Sequence, residues 1–407
     1  MNMVKIEEYE PIVGKGVLHE LRLLAERLKG KSVQNVNSTA IGGGVAEILN
    51  RMVPLLRELG VDAKWDVIKG GEKFFVATKK IHNALHGADE EITPELWDIF
   101  WDTNMKNSQE LQCASDIVFI HDPQPIGLVN QKIERRNKWI WRCHIDISQA
   151  QKQTLDALRA HIMRYDAAVF SAPAFAKEFS LRQFLIAPSL DPLSDKNKDL
   201  PLSVIEETLS AYGIKSDKPI VTQVSRFDRL KDPVGVIEAY RKVKRYVDCQ
   251  LILAGGTAAD DPESVEVFEQ VKKQAEGDPD IHVLLMSQND IHINALQRAS
   301  AVIVQKSVRE GFGLTVTEAL WKAKPVVASS VGGITVQIKH KHNGLLCHSV
   351  DGAALAIRQL LQNPDYARHL GENGREHVRQ NFLLTRHLRD YMLLFLSLYN
   401  AEDIVYL

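Results

Sequence analysis

Short apolar runs suited to buried strands alternate with amphipathic helical stretches along this chain, and the alternation occurs twice. No other feature constrains the fold as much, because strands alternating with helices form parallel sheets with right-handed crossovers. In the first half the strand runs cover 32–37, 62–67, 116–120, the stretch from Trp139, 167–171 and 185–189. In the second half they cover 219–225, 249–254, 282–286, 301–304 and 325–329. Between the halves, 190–199 is polar and turn-rich and has no apolar periodicity, the signature of a linker. The expected architecture is α/β, with two doubly wound domains, 1–190 and 216–382, joined by a linker over 191–215 and facing across a cleft. A chain of 407 residues can bury a core in each. Val17, Leu18, Leu21, Leu24 and Leu28 recur at helical spacing near the start. Helices over 351–361, 365–382 and 385–400 close the chain, and the last, within 383–407, is expected to pack back on the first domain.

The most informative stretch is 307–320, from Ser307 to Leu320. The strand run 301–304 leads into a loop opened by Gly311 and Gly313, and a helix begins at Leu314. Free backbone N–H groups at a helix start favour an anion. Glu310 lies on the loop, and Glu318 lies inside the helix. Two acids beside an anion cradle suit a ligand that is polyhydroxylic at both ends and anionic in the middle, as a nucleotide-sugar is. A second strand-to-helix junction, 225–232, carries Arg226 and Lys231. Arg supplies a planar fork and Lys a point charge for phosphate oxygens. Taken alone, these cations could equally pair with Asp228 and Asp232; the arrival of Glu310 at the same sheet edge favours phosphate.

In the first half, Gly42-Gly43-Gly44 follows a strand and precedes a helix. By itself this fits a tight turn as well as a phosphate contact, and it has neither the GxGxxG nor the GxxxxGK[ST] spacing. His121 and Asp122 end one strand and His144 follows another, at the sheet edge where ligands of open α/β folds bind. The stretch 74–87 reads as a loop entering a short helix, with Lys79, His82, Asn83 and His86 facing solvent. Asp278-Pro279-Asp280 has a metal–diphosphate pattern but sits at the wrong end of a strand and reads as a turn. No residue set suggests a metal site.

The 50 basic and 52 acidic residues nearly balance, at a net charge of -2, so there is no electrostatic case for a nucleic-acid partner. The clusters 242–245 and 339–342 read as solvated faces. Cys113, Cys143, Cys249 and Cys347 are dispersed without a CxxC pair, which fits a reducing cytoplasm. No apolar window reaches the roughly 20 residues of a membrane span, and the start of the chain has no signal-peptide pattern. A cytoplasmic protein without a membrane partner is expected, its long terminal helices offering surfaces for a homodimer.

Glu310 and Glu318 together form the EX7E pattern, and with Arg226, Lys231 and Gly332-Gly333 the chain resembles the retaining glycosyltransferases of family 4, which have the GT-B fold. Asn37-Ser38-Thr39, His121-Asp122-Pro123-Gln124-Pro125, Trp141-Arg142-Cys143-His144-Ile145-Asp146 and the stretch 188–194 resemble, within it, the trehalose synthases that use a nucleotide-glucose. The resemblance implies a reversible transfer from a nucleoside diphosphate glucose to free glucose, giving trehalose. A retaining trehalose phosphorylase, or a transferase to another hexose, shares most of these motifs. The implied catalytic residues are Arg226, Lys231 and Glu310. The implied donor contacts are Gly43, Gly44, His144, Gly313, Leu314, Thr315 and Glu318, with Glu318 on the ribose and Glu310 on the sugar; Asp122 would hold the acceptor. No cofactor is implied beyond stimulation by Mg2+ carried on the nucleotide-sugar. Where the family often has Pro-Glu after the double glycine, this chain has Ile334-Thr335-Val336-Gln337, and no role transfers there.

Overall fold

The computed structural model describes residues 5–40, 44–132, 137–256, 262–286 and 289–400. The chain divides into two units: Met1–Ser189 with Leu384–Leu407, and Leu190–Leu383. Each is built on a six-stranded sheet. The first sheet contains β1 (Ser32–Asn37), β2 (Asp62–Val67), β3 (Ile117–His121), β4 (Lys138–Arg142), β5 (Ala167–Phe170) and β6 (Arg182–Leu185), in the order β2-β1-β3-β4-β5-β6. The second contains β7 (Ile220–Val224), β8 (Gln250–Gly255), β9 (Ile281–Leu285), β10 (Val302–Gln305), β11 (Val326–Ser329) and β12 (Leu345–Cys347), in the order β12-β11-β10-β7-β8-β9. All pairings within both sheets are parallel.

Strand burial explains why the short runs were informative. Every residue of β3, β5, β7, β8, β10 and β11 is buried, as strands covered by helices on both faces require. Strand order then locates the ligand edge. In the first sheet the order reverses between β1 and β3, and in the second between β7 and β10. At such a switch point adjacent loops leave toward opposite faces and open a crevice beyond the strand ends. Asp122 follows β3, while 225–232 and 306–313 follow β7 and β10.

Three expectations need correction. The stretch 74–87 is mostly helix, Glu72–Leu85, because Phe74, Ala77, Thr78, Ile81 and Ala84 recur on one face and are buried. His86 caps that helix and is itself buried, so this side chain does not face solvent. The strand expected over 185–189 is β6, which ends at Leu185; Pro188, with no N–H to donate, falls beyond it. The segment expected as a linker belongs to the second unit. Asn197 is buried, the Asn294 amide donates to the Asp195 and Lys198 carbonyls, and Leu202–Ala211 is a helix.

The helix Leu384–Tyr399 belongs to the first unit. Its Tyr391 and Phe395 rings lie 4.9 and 5.8 Å from that of Phe119 on β3. Among the described residues, no helix is long and apolar enough to cross a membrane. The Asp278-Pro279-Asp280 segment precedes β9, and Asp280 pairs with Lys218 and Lys244, in keeping with a structural turn.

Gly255 ends β8 directly against the strand beside it. A Cβ there would stand 1.7 Å from the Ser225 carbonyl oxygen, backbone that cannot rotate away. Gly255→Ala is expected to destabilise the second unit by about 1–3 kcal/mol through overpacking. Urea denaturation beside wild type checks this.

Candidate active site

In the second unit the junction after β7 is shaped by local hydrogen bonds. Asp228 accepts from the Leu230 N–H at 2.7 Å, which closes the turn Arg229–Lys231. The Gln223 amide on β7 donates to the Lys231 carbonyl at 2.8 Å and holds the end of that turn against the sheet. The Lys231 ammonium then reaches Glu310 Oε2 at 2.6 Å. Ser307 Oγ donates to the same oxygen at 3.1 Å and is in turn held by the Gln305 amide at 3.0 Å. Among the described residues none donates to Glu310 Oε1, so this largely buried carboxylate has one oxygen fixed and one available.

Arg226 is placed differently. Its side chain is 56% exposed and stands 3.8 Å from Asp228, too far for a hydrogen bond. Asp232 does not pair with Lys231. It caps Gly235 N–H at the start of the helix Pro233–Lys244 and pairs with Lys306. Lys231 is thus engaged by Glu310 and not by Asp232, while Arg226 keeps a long, exposed ion pair with Asp228.

Gly313 takes φ 84°, a left-handed conformation that L side chains rarely adopt, and a Cβ there would lie 3.1 Å from Glu310 Cγ. It is the N-cap of the helix Leu314–Trp321 and offers no side-chain cap, so the helix begins with uncapped N–H groups at Leu314 and Thr315. Glu318, one turn further in, is buried with 3% of its surface accessible. Gln297 Nε2 lies 3.4 Å from one of its oxygens and Lys196 Nζ 3.8 Å from the other. The two glutamates have separate partners, Lys231 and Ser307 for Glu310, Gln297 and Lys196 for Glu318.

The first unit has its own polar cluster. Gly43 lies outside the described residues, and Gly44 opens the helix Gly44–Glu58. Asp122 follows β3 at φ 66°. Its N–H donates to the Arg142 carbonyl at 2.7 Å, and its Oδ1 accepts the His144 N–H at 2.8 Å. A row of ring contacts runs beneath: His144 Nε2 is 3.2 Å from His121 Nδ1, and His121 Nε2 is 3.1 Å from Asn35 Oδ1. The Asn35 oxygen only accepts, so His121 carries its proton on Nε2 and must accept at Nδ1 from His144 Nε2–H. Burial, with the Arg142 charge added, depresses the His121 pKa to about 3 and pushes that of His144 well down. Both rings are neutral, and their tautomers are set by the chain. Burial raises Asp122 to about 7, against the opposing pull of the His144 N–H and Arg142.

The structure thus brings Lys231, Glu310, Gly313, Leu314 and Thr315 together at the second switch point, with Arg226 earlier on the same loop as Lys231. It brings Asp122 and His144 together at the first unit's switch point. Sequence reading missed Gln305 and Ser307, which orient Glu310, Lys196 and Gln297 beside Glu318, and Gln337 behind the glycine loop. None of these carries a local motif.

The described sequence matches two family models: "Trehalose synthase, N-terminal domain" over 35–177 and "Glycosyl transferases group 1" over 204–377. A trehalose synthase of Thermococcus litoralis is 44% identical over 396 residues, spanning 95% of this chain and 96% of that protein. One from Rubrobacter xylanophilus is 45% identical over 406 residues and spans 97% of both. A trehalose phosphorylase of Grifola frondosa is 30% identical, and the match covers 92% of this chain but 58% of that protein. Among solved structures, an alpha,alpha-trehalose-phosphate synthase (UDP-forming) from Burkholderia xenovorans aligns over 90% of this chain and 100% of its own, at TM-score 0.73 and 14% identity. A sucrose-phosphate synthase from Thermosynechococcus elongatus aligns over 91% and 100% at TM-score 0.70 and 19% identity. These two likenesses establish the fold, two Rossmann-like domains of the GT-B type.

Asp122 also makes a prediction about pH. Its folded pKa of about 7 exceeds the ordinary 3.8, so between those values the folded chain keeps a proton that the unfolded chain releases. Stability from this group therefore falls as pH rises through that window. Asp122→Asn keeps an oxygen for the His144 N–H and removes the titration. Its stability relative to wild type is expected to improve from pH 4 to pH 8, measured by urea denaturation at each pH. The opposite slope from His121 is common to both proteins and cancels in the difference.

Proposed function

The chain belongs to the trehalose synthase family of group 1 glycosyltransferases, and from that premise we propose that it moves glucose between a nucleoside diphosphate and free glucose, with retention, to form and cleave α,α-trehalose. The observation that carries this reading is the Lys231–Glu310 pair beside an uncapped helix N-terminus at the switch point of the second sheet. Lys231 and the N–H groups of Leu314 and Thr315 suit the diphosphate. The available oxygen of Glu310 suits hydroxyls of the donor glucose, and Glu318 suits the ribose. Asp122 and His144 are assigned to the acceptor and the donor sugar, respectively.

In the forward direction the acceptor hydroxyl bonds to the anomeric carbon as the bond from that carbon to the phosphate oxygen breaks. Attack comes from the side the diphosphate leaves, and the hydroxyl proton passes to the departing phosphate. The anomeric carbon has oxocarbenium character at the transition state, and negative charge grows on the diphosphate. Arg226 and Lys231 lower the barrier by countering that growing charge. Glu310, paired to Lys231 on one oxygen, orients both the cation and the sugar. The step needs no resident cofactor; Mg2+ would act through the nucleotide-sugar it accompanies.

A phosphorylase would put inorganic phosphate where the nucleoside diphosphate leaves. The synthase reading is favoured because the synthase relatives match this chain over nearly their full length, whereas the match to the Grifola phosphorylase covers 58% of that protein. The deciding experiment incubates ADP-, UDP- and GDP-glucose against glucose, glucose 6-phosphate and fructose, with trehalose plus phosphate in parallel. Expected is an α,α-linked disaccharide from glucose with release of nucleoside diphosphate. A β linkage by NMR sinks retention, and phosphorolysis without nucleotide selects the rival. Arg226→Ala and Lys231→Ala should each lower kcat by roughly 10²-fold or more; normal turnover in either would remove that residue from the mechanism.

A further inference from the structure

The loop that carries Glu310 ends in two peptide groups whose orientation decides whether the cradle exists. In a trans peptide the C=O and N–H point in opposite directions. The described peptides are all trans. If the carbonyls of Phe312 and Gly313 turn inward, the N–H groups of Gly313 and Leu314, on the same two peptide planes, turn outward.

Gln337 lies behind those carbonyls. It ends the short helical turn Ile334–Gln337 that follows Gly332-Gly333, and it is fully buried. Its Nε2 donates to the Phe312 carbonyl at 2.5 Å and lies 3.4 Å from the carbonyls of Gly313 and Gly333; the Gly313 carbonyl is held chiefly by the Val316 N–H at 2.9 Å. Three acceptors around one nitrogen require the NH2 end of the amide there. The other end accepts from Thr317 Oγ1 at 2.6 Å, so the amide is keyed in one orientation to the first turns of the helix Leu314–Trp321. The two loops are pressed together: a Cβ at Gly333 would stand 2.5 Å from the Gly311 carbonyl oxygen.

We propose that Gln337 is a positioning residue for the donor diphosphate: by drawing the Phe312 carbonyl inward it aims the Gly313 N–H at the phosphates, beside the Leu314 N–H, whose peptide is held by Val316. It touches neither substrate nor reacting atoms. The proposal rests on the donor-site reading above. A glutamate in its place would set a carboxylate against three carbonyl oxygens, which favours reversal of the peptide between Phe312 and Gly313.

The test is calorimetry on the full-length protein with UDP and uridine, and with ADP and adenosine, for wild type, Gln337→Glu and Thr317→Val. Gln337→Glu should weaken the diphosphate at least tenfold while the matching nucleoside, held through its ribose and base, binds as in wild type. Thr317→Val, which only frees the amide to turn, should weaken the diphosphate less and again spare the nucleoside. It also carries the test if Gln337→Glu does not fold, and diphosphate binding like wild type in Thr317→Val would then overturn the proposal. In steady state, donor KM rises and kcat falls for Gln337→Glu. Equal loss of nucleoside and diphosphate in either variant would mean general damage and overturn the proposal, as would unchanged diphosphate binding in Gln337→Glu. If wild type itself binds no nucleoside diphosphate, the donor-site reading falls and takes this inference with it; wild-type binding with an indifferent Gln337→Glu removes this inference alone.

Discussion

The second unit depends on one ion pair, between Lys231 and Glu310, that ties together loops 79 residues apart. Each partner alone would be a charge held largely out of water, and the pair works with the Val308 N–H, which donates to the Leu230 carbonyl at 2.8 Å, to join the two loops. Together they fix the lip of the sheet where strand order reverses. The pair is not isolated: the Gln223 amide anchors one side from β7, and Gln305 and Ser307 anchor the other from the end of β10. Strands deliver the residues to within a few ångströms, and neutral side chains make the last adjustment. A charged pair with an oxygen left over suits a ligand with many hydroxyls, because no ion has to be stripped of its partner for the ligand to bind.

The first unit solves a different problem, that of keeping imidazoles neutral and oriented. Asn35 sets the His121 tautomer, His121 sets that of His144, and Asp122 clasps the His144 backbone. Arg142, buried below with one bond to Ser171, adds a positive potential that opposes protonation of either ring. The rings, Asn35 and Asp122 offset the cost of their burial through one another's hydrogen bonds, whereas Arg142 keeps its Nε and Nη1 buried without a partner among the described residues.

Most of the strands were legible because each is a short β-branched or apolar run between helices, and Val302–Gln305 and Val326–Ser329 need little else to declare themselves. Leu345–Cys347 escaped because three residues carry no periodicity. The helix Glu72–Leu85 was misread because Lys79-Lys80 and the histidines drew attention to its polar face, while its buried face needed a partner to be recognised. At the site, Glu310, Gly313 and Glu318 were legible from local spacing on one loop and helix. The partner of Glu310 was not, since nothing in the sequence says which of Arg226, Lys231 or Lys306 arrives there. Gln337 was invisible for the same reason: an amide acts through the carbonyls it meets, and those belong to another loop.

The helix Leu384–Tyr399 completes the first unit although it is encoded after the whole of the second. On the ribosome, then, the order of assembly differs from the order of synthesis. The second unit has all its strands and can condense while the first still lacks the helix that covers Phe119, so the β3 face remains a wet, unsealed surface until Leu384–Tyr399 emerges. The neutral histidine row of the first unit is accordingly a property acquired late, only once that helix has been made, after every strand of the second unit has been synthesised.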